Sequence, residues 1–419
     1  MELLDAEGPP LPEHIGHPCW PLIWLWVLSI SQYAYRYILQ VNDTKDSLEY
    51  GPTPTFLSAI KYEIFLLFVL YSIWRLFRRH VRVSRQYRVI AYVTAVSLLL
   101  LSVIFFLRLI SSPGELEDTV LTGVQLVPWI SMVFFIPLVF DERHSLRRTL
   151  MAFERLVFWI AFPFWLTTVA LVVAGIRYPA LSYPGLIVRF GGILDDPNAN
   201  AGLSLFLLML AVRFRQGAWK TRVTIYGLML LGTLSFSGYI MAVALCIGLL
   251  LAPFVRSARQ FREGLAKLCV RSAIAAVVFA SLALAYEANT PLIDAVNSLY
   301  SAKANSTGAH ISNLFPDEAM FDESSPLAIS FGQGGYSENF YWRILVNFGW
   351  TGFAIVVSLI VIWTYEACLY AKDWRYPIGA WIIALLIASN GIAYVLLFPV
   401  SLLFWSMLSL LVLRAANPK

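Results

Sequence analysis

The chain has 419 residues, of which 59% are hydrophobic and only 14% are charged. A soluble protein of this length carries about a quarter of its residues as charged side chains, so the composition excludes an ordinary soluble enzyme. The formal net charge of +5 is explained by loops that face anionic lipid, and it does not indicate a nucleic-acid partner.

Apolar runs of about twenty residues, the length that crosses a hydrocarbon core of about 30 Å, follow one another along the chain. They predict an all-α polytopic membrane protein with about twelve transmembrane helices. The sixth and seventh are short for a full crossing. The predicted spans cover residues 20–40, 56–76, 89–110, 119–140, 151–175, 199–213, 222–236, 238–255, 271–287, 349–371, 377–394 and 396–413.

These spans divide the chain into four parts. Residues 1–19 form a predicted cytoplasmic N-terminal tail, which lacks Lys and Arg and therefore does not read as a cleaved signal peptide. Residues 20–286 hold predicted transmembrane helices 1–9. Residues 287–348 form a predicted extracytoplasmic loop with a short interfacial helix, and residues 349–419 hold helices 10–12 and a cytoplasmic tail.

Basic residues indicate the orientation of the spans. Most of the 31 Lys and Arg residues fall in loops on one face of the alternating spans. The positive-inside rule makes that face cytoplasmic, with both termini inside. The basic residues outside these loops are exceptions to that rule, and each needs a reason. They are Arg36, Lys45, Lys61, Arg108, Arg177, Arg189, Lys303 and Arg343.

The first dense motif is VRFGGILDDPNANAG, residues 188–202, which lies before the sixth predicted span. Asp196 or Asn198 is suited to cap the start of that helix. A helix N-terminus beside Arg189 is a ready anion site, because free backbone N–H groups and a guanidinium both bind negative charge. The alternative is an ordinary capped helix whose surface arginine pairs with Asp195.

The second motif is LSFSGYIMA, residues 234–242, a predicted tight outer turn between the seventh and eighth spans. Ser235, Ser237 and Gly238 are suited to cap the eighth helix and to leave small groups facing a cavity. A plain hairpin turn is the alternative.

The third motif is YSENFYWRILVNFGWTG, residues 336–352, which closes the large outer loop and leads into the tenth span. Glu338, Asn339 and Arg343 lie within six positions of one another. Ionisable residues at membrane depth are costly and are therefore functional candidates. Asn339 and Arg343 are spaced i, i+4, which predicts a shared helix face. The alternative is an interfacial helix with an aromatic belt and a solvated Glu338 and Arg343.

In order and topology these motifs resemble the superfamily of O-antigen ligases and O-antigen polymerases, over about residues 90 to 400. The resemblance implies a metal-independent bacterial glycosyltransferase without a cofactor. Such an enzyme takes sugar from undecaprenyl diphosphate on the periplasmic face of the inner membrane. The residues that carry the resemblance are Arg189-x-x-Gly192, Asp196-Pro197-Asn198, the serine turn, Glu338-Asn339-aromatic and Gly349-x-x-Gly352.

Two departures favour the polysaccharide polymerase branch. Ligases usually carry a His-Asn pair where this chain has Glu338-Asn339, and many members carry Arg in the serine turn, where this chain reads Ser235-Phe236-Ser237-Gly238. The expected function is joining lipid-linked oligosaccharide repeat units. A ligase that transfers glycan to lipid A-core or another acceptor is one alternative. A transporter of lipid-linked sugar is another, although transporters tend to show internal repeats and none is evident.

The resemblance also implies roles for individual residues. Arg189, with Arg177 or Arg343, would stabilise the leaving diphosphate. Glu338 is the first candidate for the base that activates the acceptor hydroxyl, with inversion at the anomeric carbon, and His310 is its rival. A chain-length regulator or an export complex is a candidate partner. The substrate-binding candidates are Arg177, Asp196, Asn198, Asn339, Tyr341, His310 and Ser237.

Overall fold

A computed structural model describes residues 16–41, 55–78, 83–111, 116–141, 143–173, 192–194, 196–251, 330, 337–370 and 375–415. Helix accounts for 86% of this part of the chain, and none of it forms a strand. A single isolated bridge joins His17 to His144. The predicted all-α class is therefore confirmed.

The helices follow the apolar runs of the sequence. They are α1 (Trp20–Val41), α2 (Thr55–Arg78), α3 (Arg85–Ser111), α4 (Leu116–Ile130), α5 (Met132–Val139), α6 (Leu146–Val173), α7 (Pro197–Phe214), α8 (Trp219–Gly232), α9 (Phe236–Leu251), α10 (Phe340–Tyr370), α11 (Tyr376–Ala388) and α12 (Val400–Ala415). A short 3₁₀ turn at Gly192–Leu194 precedes α7.

Five helical segments of the described chain are long and apolar enough to cross a membrane. They are Arg85–Arg108, Glu117–Val139, Leu146–Thr167, Pro197–Phe214 and Phe340–Leu369, and shorter apolar helices cover Phe236–Leu249, Tyr376–Ala388 and Val400–Leu413. By length and composition, these helices indicate a membrane protein. The total of about twelve spans stays a prediction. The ninth predicted span and the large outer loop, except Ser330 and the stretch from Ser337 onward, lie outside the described residues.

Two predicted elements differ from the observed ones. The fourth predicted span consists of α4 and α5, which meet at Ser131, with Pro128 and Pro137 inside the two helices. The predicted interfacial helix and the tenth span form one element, α10, with a kink at Gly349. Residues 343–349 are buried, so the first part of α10 packs inside the bundle instead of lying on its surface.

An aromatic column fills the middle of the bundle. The Trp26 ring contacts Phe153, with 5.2 Å between ring centroids, and Phe153 lies 6.3 Å from Phe206. Phe206 in turn lies 4.6 Å from Trp381. These contacts tie α1, α6, α7 and α11 together through close packing, which is the main source of helix association in lipid.

Long-range hydrogen bonds define two ends of the bundle. At one end the start of α1 meets the start of α6, where Cys19 N donates to Thr149 Oγ1 at 2.9 Å. The start of α3 also meets the end of α10 there, where Gln86 donates to Glu366 at 2.7 Å. We call this the basic end, and it includes Arg75 and Arg222. The opposite end holds the starts of α7, α9 and α10, and we call it the polar end.

Candidate functional site

A chain of side-chain hydrogen bonds at the polar end joins the first two motifs. Ser235 Oγ donates to Asn198 Oδ1 at 2.7 Å and lies 3.2 Å from Ser237 Oγ. Ser237 Oγ lies 3.1 Å from the hydroxyl of Tyr394, which is fully buried. This series of hydrogen bonds therefore connects the start of α7, the turn before α9 and the segment after α11.

Local capping places these side chains. Asp196 is the N-cap of α7, where its Oδ1 accepts from Asn198 N at 2.7 Å and from Ala199 N at 3.3 Å. With Asp196 as the cap, the Asn198 side chain reaches Ser235. Ser235 Oγ also accepts from Gly238 N at 3.1 Å and so holds the start of α9. The sequence left two candidates for the α7 cap, and the structure assigns it to Asp196.

Gly238 allows α7 and α9 to approach each other at this point. A Cβ atom built on Gly238 would lie 2.5 Å from the Cβ of Ala201, a separation that real Cβ atoms do not adopt. Any side chain at Gly238 would push the two helices apart and stretch the hydrogen bond between Asn198 and Ser235. The small residue is thus needed for the geometry of the turn.

The third motif reaches the same region through the turn after α11. Phe340 N, at the start of α10, donates to Ser389 O at 3.0 Å. The Tyr341 hydroxyl donates to Leu386 O at 3.1 Å. A Cβ built on Gly391, in this turn, would lie 3.8 Å from Ser237 Cβ. The three motifs, which are spread between residues 188 and 352 of the sequence, therefore converge on residues 389–394.

Asn339 has a different position from the predicted one. It precedes α10, and its Oδ1 accepts from Tyr341 N at 2.9 Å and from Trp342 N at 3.2 Å. This is an N-capping geometry, which turns the amide back onto the backbone. The prediction that Asn339 and Arg343 share a helix face is therefore wrong, because Asn339 lies outside the helix.

Arg343 is buried in the bundle, with only 6% of its surface exposed. Its Nε donates to Thr122 Oγ1 on α4 at 3.0 Å. Its backbone carbonyl accepts from Asn347 Nδ2 at 2.9 Å, one turn further along α10. The alternative of a solvated Arg343 on a membrane-surface helix is thus wrong.

A second buried arginine lies at the same end. Arg108 is 1% exposed, and its Nη1 donates to Asn347 O at 2.9 Å. Thr119 Oγ1 donates to Asn347 Oδ1 at 3.0 Å. Arg108, Thr119, Thr122, Arg343 and Asn347 form one polar cluster between α3, α4 and α10, which we call the arginine cluster.

Glu338 occupies the turn that leads into α10. Its side chain is partly exposed, whereas its neighbours Ser337 and Asn339 are buried. Ser337 Oγ accepts from Asn339 N at 3.2 Å, which holds the turn in place. Glu338 is therefore a partly exposed carboxylate at the edge of the polar end, in a turn that the hydrogen bond between Ser337 and Asn339 holds.

A shallow apolar groove runs along the opposite face of α4. It has a volume of about 430 Å³ and is lined by Glu117, Val120, Leu121 and Val124. Thr119 and Thr122 on the same helix are fully buried and face the arginine cluster. One helix therefore presents an apolar groove on its outer side and hydroxyl groups to the arginines on its inner side.

The remaining predicted site residues fall in other parts of the chain. Arg177, Arg189, Asp195 and His310 lie outside the described residues. Within the described ranges, no three His, Cys, Asp or Glu side chains come together as a metal site. Cys19, Cys246 and Cys368 are free thiols.

Sequence reasoning missed Tyr394, Thr122 and Asn347 and did not single out Arg108. Tyr394 is an isolated polar residue in apolar surroundings, and nothing local marks it, whereas Asn347 lies inside the third motif. Arg108 did carry a signal, since it is one of the basic residues that violate the positive-inside pattern.

Comparison of the chain with models of known protein families, with characterised proteins and with solved structures finds no match.

Proposed function

We propose that this protein is a polysaccharide polymerase of a bacterial inner membrane. It joins oligosaccharide repeat units carried on undecaprenyl diphosphate, without a metal, on the periplasmic side. The observation that carries the proposal is the convergence of the three motifs at the polar end, next to buried Arg343. A membrane scaffold would not need three separate motifs that meet beside a partly exposed carboxylate, Glu338.

The reaction is a substitution at the anomeric carbon of the donor. The acceptor hydroxyl oxygen attacks that carbon, the bond to the diphosphate oxygen breaks, and undecaprenyl diphosphate leaves with both bonding electrons. Glu338 takes the proton of the acceptor hydroxyl. Attack opposite the leaving group inverts the anomeric centre.

Arg343 acts on the leaving group. Negative charge grows on the diphosphate as the bond breaks, and a preorganised guanidinium stabilises that charge more in the transition state than in the ground state. Thr122 and Asn347 restrict the movement of Arg343, so little reorganisation is needed during the reaction. Arg189 and Arg177 are candidates for a second cation on the same diphosphate.

The groove on α4 supports a lipid-linked donor. Val120, Leu121 and Val124 suit an isoprenoid chain, and the hydroxyl-bearing face of the same helix leads to Arg343. A donor lying along α4 would have its apolar tail in lipid and its diphosphate at the polar end. This arrangement requires the polar end to face the periplasm, which agrees with the cytoplasmic assignment of the basic loops.

The test is an assay of purified protein with lipid-linked repeat units and EDTA, with products resolved on a gel. Wild-type protein should give a ladder of glycans. Arg343→Met and Glu338→Gln should give none while remaining folded. Arg88→Ala is the matched control, because Arg88 is an exposed arginine at the basic end, and it should give the wild-type ladder.

Two other outcomes would overturn the polymerase, and a third would overturn the role given to Arg343. A single transfer that occurs only when lipid A-core is added would identify a ligase. Movement of lipid-linked sugar across vesicles without a new bond would identify a transporter. A full ladder of glycans from Arg343→Met would show that the reaction does not need Arg343 at the polar end.

A further inference from the structure

The kink in α10 separates the functional segment from the rest of the helix. Gly349 has φ 65° and ψ −174°, a backbone conformation that is essentially restricted to glycine. A Cβ at Gly352 would overlap the Cβ of Phe348, so the second glycine is also required for the bend. Residues 340–348, which include Arg343, are therefore a separate short segment attached through a glycine kink.

A kink interrupts the regular ladder of helix hydrogen bonds, and backbone carbonyls beside it need other donors. Asn347 lies two residues before the kink, and its carbonyl accepts from Arg108 Nη1 at 2.9 Å. The Asn347 side chain in turn donates to Arg343 O at 2.9 Å and accepts from Thr119 Oγ1 at 3.0 Å. One residue thus connects α3, α4 and the turn of α10 that carries Arg343.

We infer that Arg108 is a positioning residue for Arg343: by holding Asn347 it fixes the angle of residues 340–348, and so sets where the Arg343 guanidinium meets the substrate. The catalytic consequence of this inference rests on the proposed function. The positioning of residues 340–348 by Arg108 does not depend on it. Arg108 is almost fully buried, which fits a role inside the bundle.

The structural part predicts a local change in Arg108→Gln. This substitution removes the guanidinium that holds Asn347 O but keeps a polar side chain. Hydrogen exchange of amides 340–348 should accelerate about tenfold or more, the range expected for losing one charge-assisted hydrogen bond. Exchange in residues 353–370 of α10 should stay at the wild-type rate. Faster exchange throughout α3 and α10 would overturn the inference, because Arg108 would then be a general structural residue.

The catalytic part predicts a selective loss of kcat. In Arg108→Gln, kcat should fall by about 10- to 100-fold, because a small misplacement of a catalytic group lowers the rate that much, while KM changes less than about threefold. Arg108→Lys retains a cationic donor and should recover most of kcat. A raised KM with unchanged kcat would overturn the inference, since Arg108 would then bind substrate itself.

If Arg108→Gln fails to fold, Thr119→Val tests the same positioning of Asn347. Valine is nearly isosteric and removes only the hydrogen bond to Asn347 Oδ1, so it should lower kcat in the same direction by a smaller factor. Unchanged kcat and unchanged exchange in this variant would contradict the positioning role. If the wild-type protein forms no polymer, the proposed function fails, and the exchange measurement still tests the role of Arg108.

Discussion

The two ends of the bundle each bury an arginine, but they hold it differently. Arg222 at the basic end is 9% exposed and Arg343 at the polar end is 6% exposed. Arg222 Nε donates at 2.8 Å to the carboxylate of Glu154, which also accepts from the Tyr226 hydroxyl at 3.0 Å. Arg343 Nε donates to a threonine hydroxyl. Burial alone therefore does not distinguish a structural arginine from a catalytic candidate.

The partners of the two Nε atoms differ in charge. A carboxylate orients a guanidinium and also cancels its charge, so the pair of Glu154 and Arg222 ties α6 to α8. The Thr122 hydroxyl orients the Nε of Arg343 without adding a charge of its own. Arg75 at the basic end follows the first pattern, because its Nη2 lies 3.0 Å from Asp141 Oδ2.

The largest effect is expected at the basic end. Glu154→Gln leaves Arg222 buried beside a neutral amide, and removing one partner of a buried ion pair costs about 3–5 kcal/mol of folding free energy. Thermal unfolding in detergent should show a large drop in Tm. Glu63→Gln, on an exposed carboxylate of α2, should leave Tm unchanged. A wild-type Tm in Glu154→Gln would show that the ion pair is not structural.

The next effect separates the two arginines directly. Arg343→Met keeps much of the side-chain volume and should lower turnover at least about 100-fold, the loss typical of removing one preorganised electrostatic group. Arg222→Met should lower Tm, yet the protein that stays folded should keep its specific activity. Equal losses of activity in Arg343→Met and Arg222→Met would contradict the proposed difference between the two ends.

The kink provides a third test. Gly349→Ala forces a side chain into a conformation that costs of order 1–3 kcal/mol, so Tm and activity should both fall. Gly227→Ala is the matched control, because a Cβ there meets no atom closer than 4.0 Å. Alanine inside α8 should be neutral or stabilising by up to about 1 kcal/mol. If Gly349→Ala behaves like the control, α10 does not need its kink.

The smallest effect concerns the hydrogen-bond chain at the polar end. Ser237→Ala and Tyr394→Phe each remove one side of the contact at 3.1 Å. Their coupling in a double-mutant cycle should be about 0.5–1.5 kcal/mol, measured by unfolding in denaturant. Ser102→Ala, at an exposed serine of α3, should show no coupling to Tyr394→Phe. Strict additivity of Ser237→Ala and Tyr394→Phe would mean that the two hydroxyls do not interact.

The positions of the helices could be predicted where they depend on residues that are close together in the sequence. Runs of apolar residues placed most spans within a few residues of the observed helices, and Asp196-Pro197 marked the start of α7 because capping depends on neighbouring residues alone. The serine turn was likewise read as a cap for α9, and Ser235 provides it.

The arginine cluster was not predictable, because its contacts join distant parts of the chain. Arg108 meets Asn347 across 239 positions, and Thr122 meets Arg343 across 221. Apolar periodicity carries no information about which polar residue in one helix faces which residue in another. Asn339 was misjudged for a related reason, since a spacing of i, i+4 implies a shared face only if both residues are inside the helix.

The measurement to make is the stoichiometry of the reaction catalysed by purified wild-type protein with lipid-linked repeat units. Joining two units by substitution at the anomeric carbon releases one undecaprenyl diphosphate per new linkage, so the proposed function predicts equal amounts of glycosidic bonds and released lipid diphosphate. Polymer without released lipid diphosphate, or no new linkage while lipid-linked sugar crosses a membrane, would contradict it.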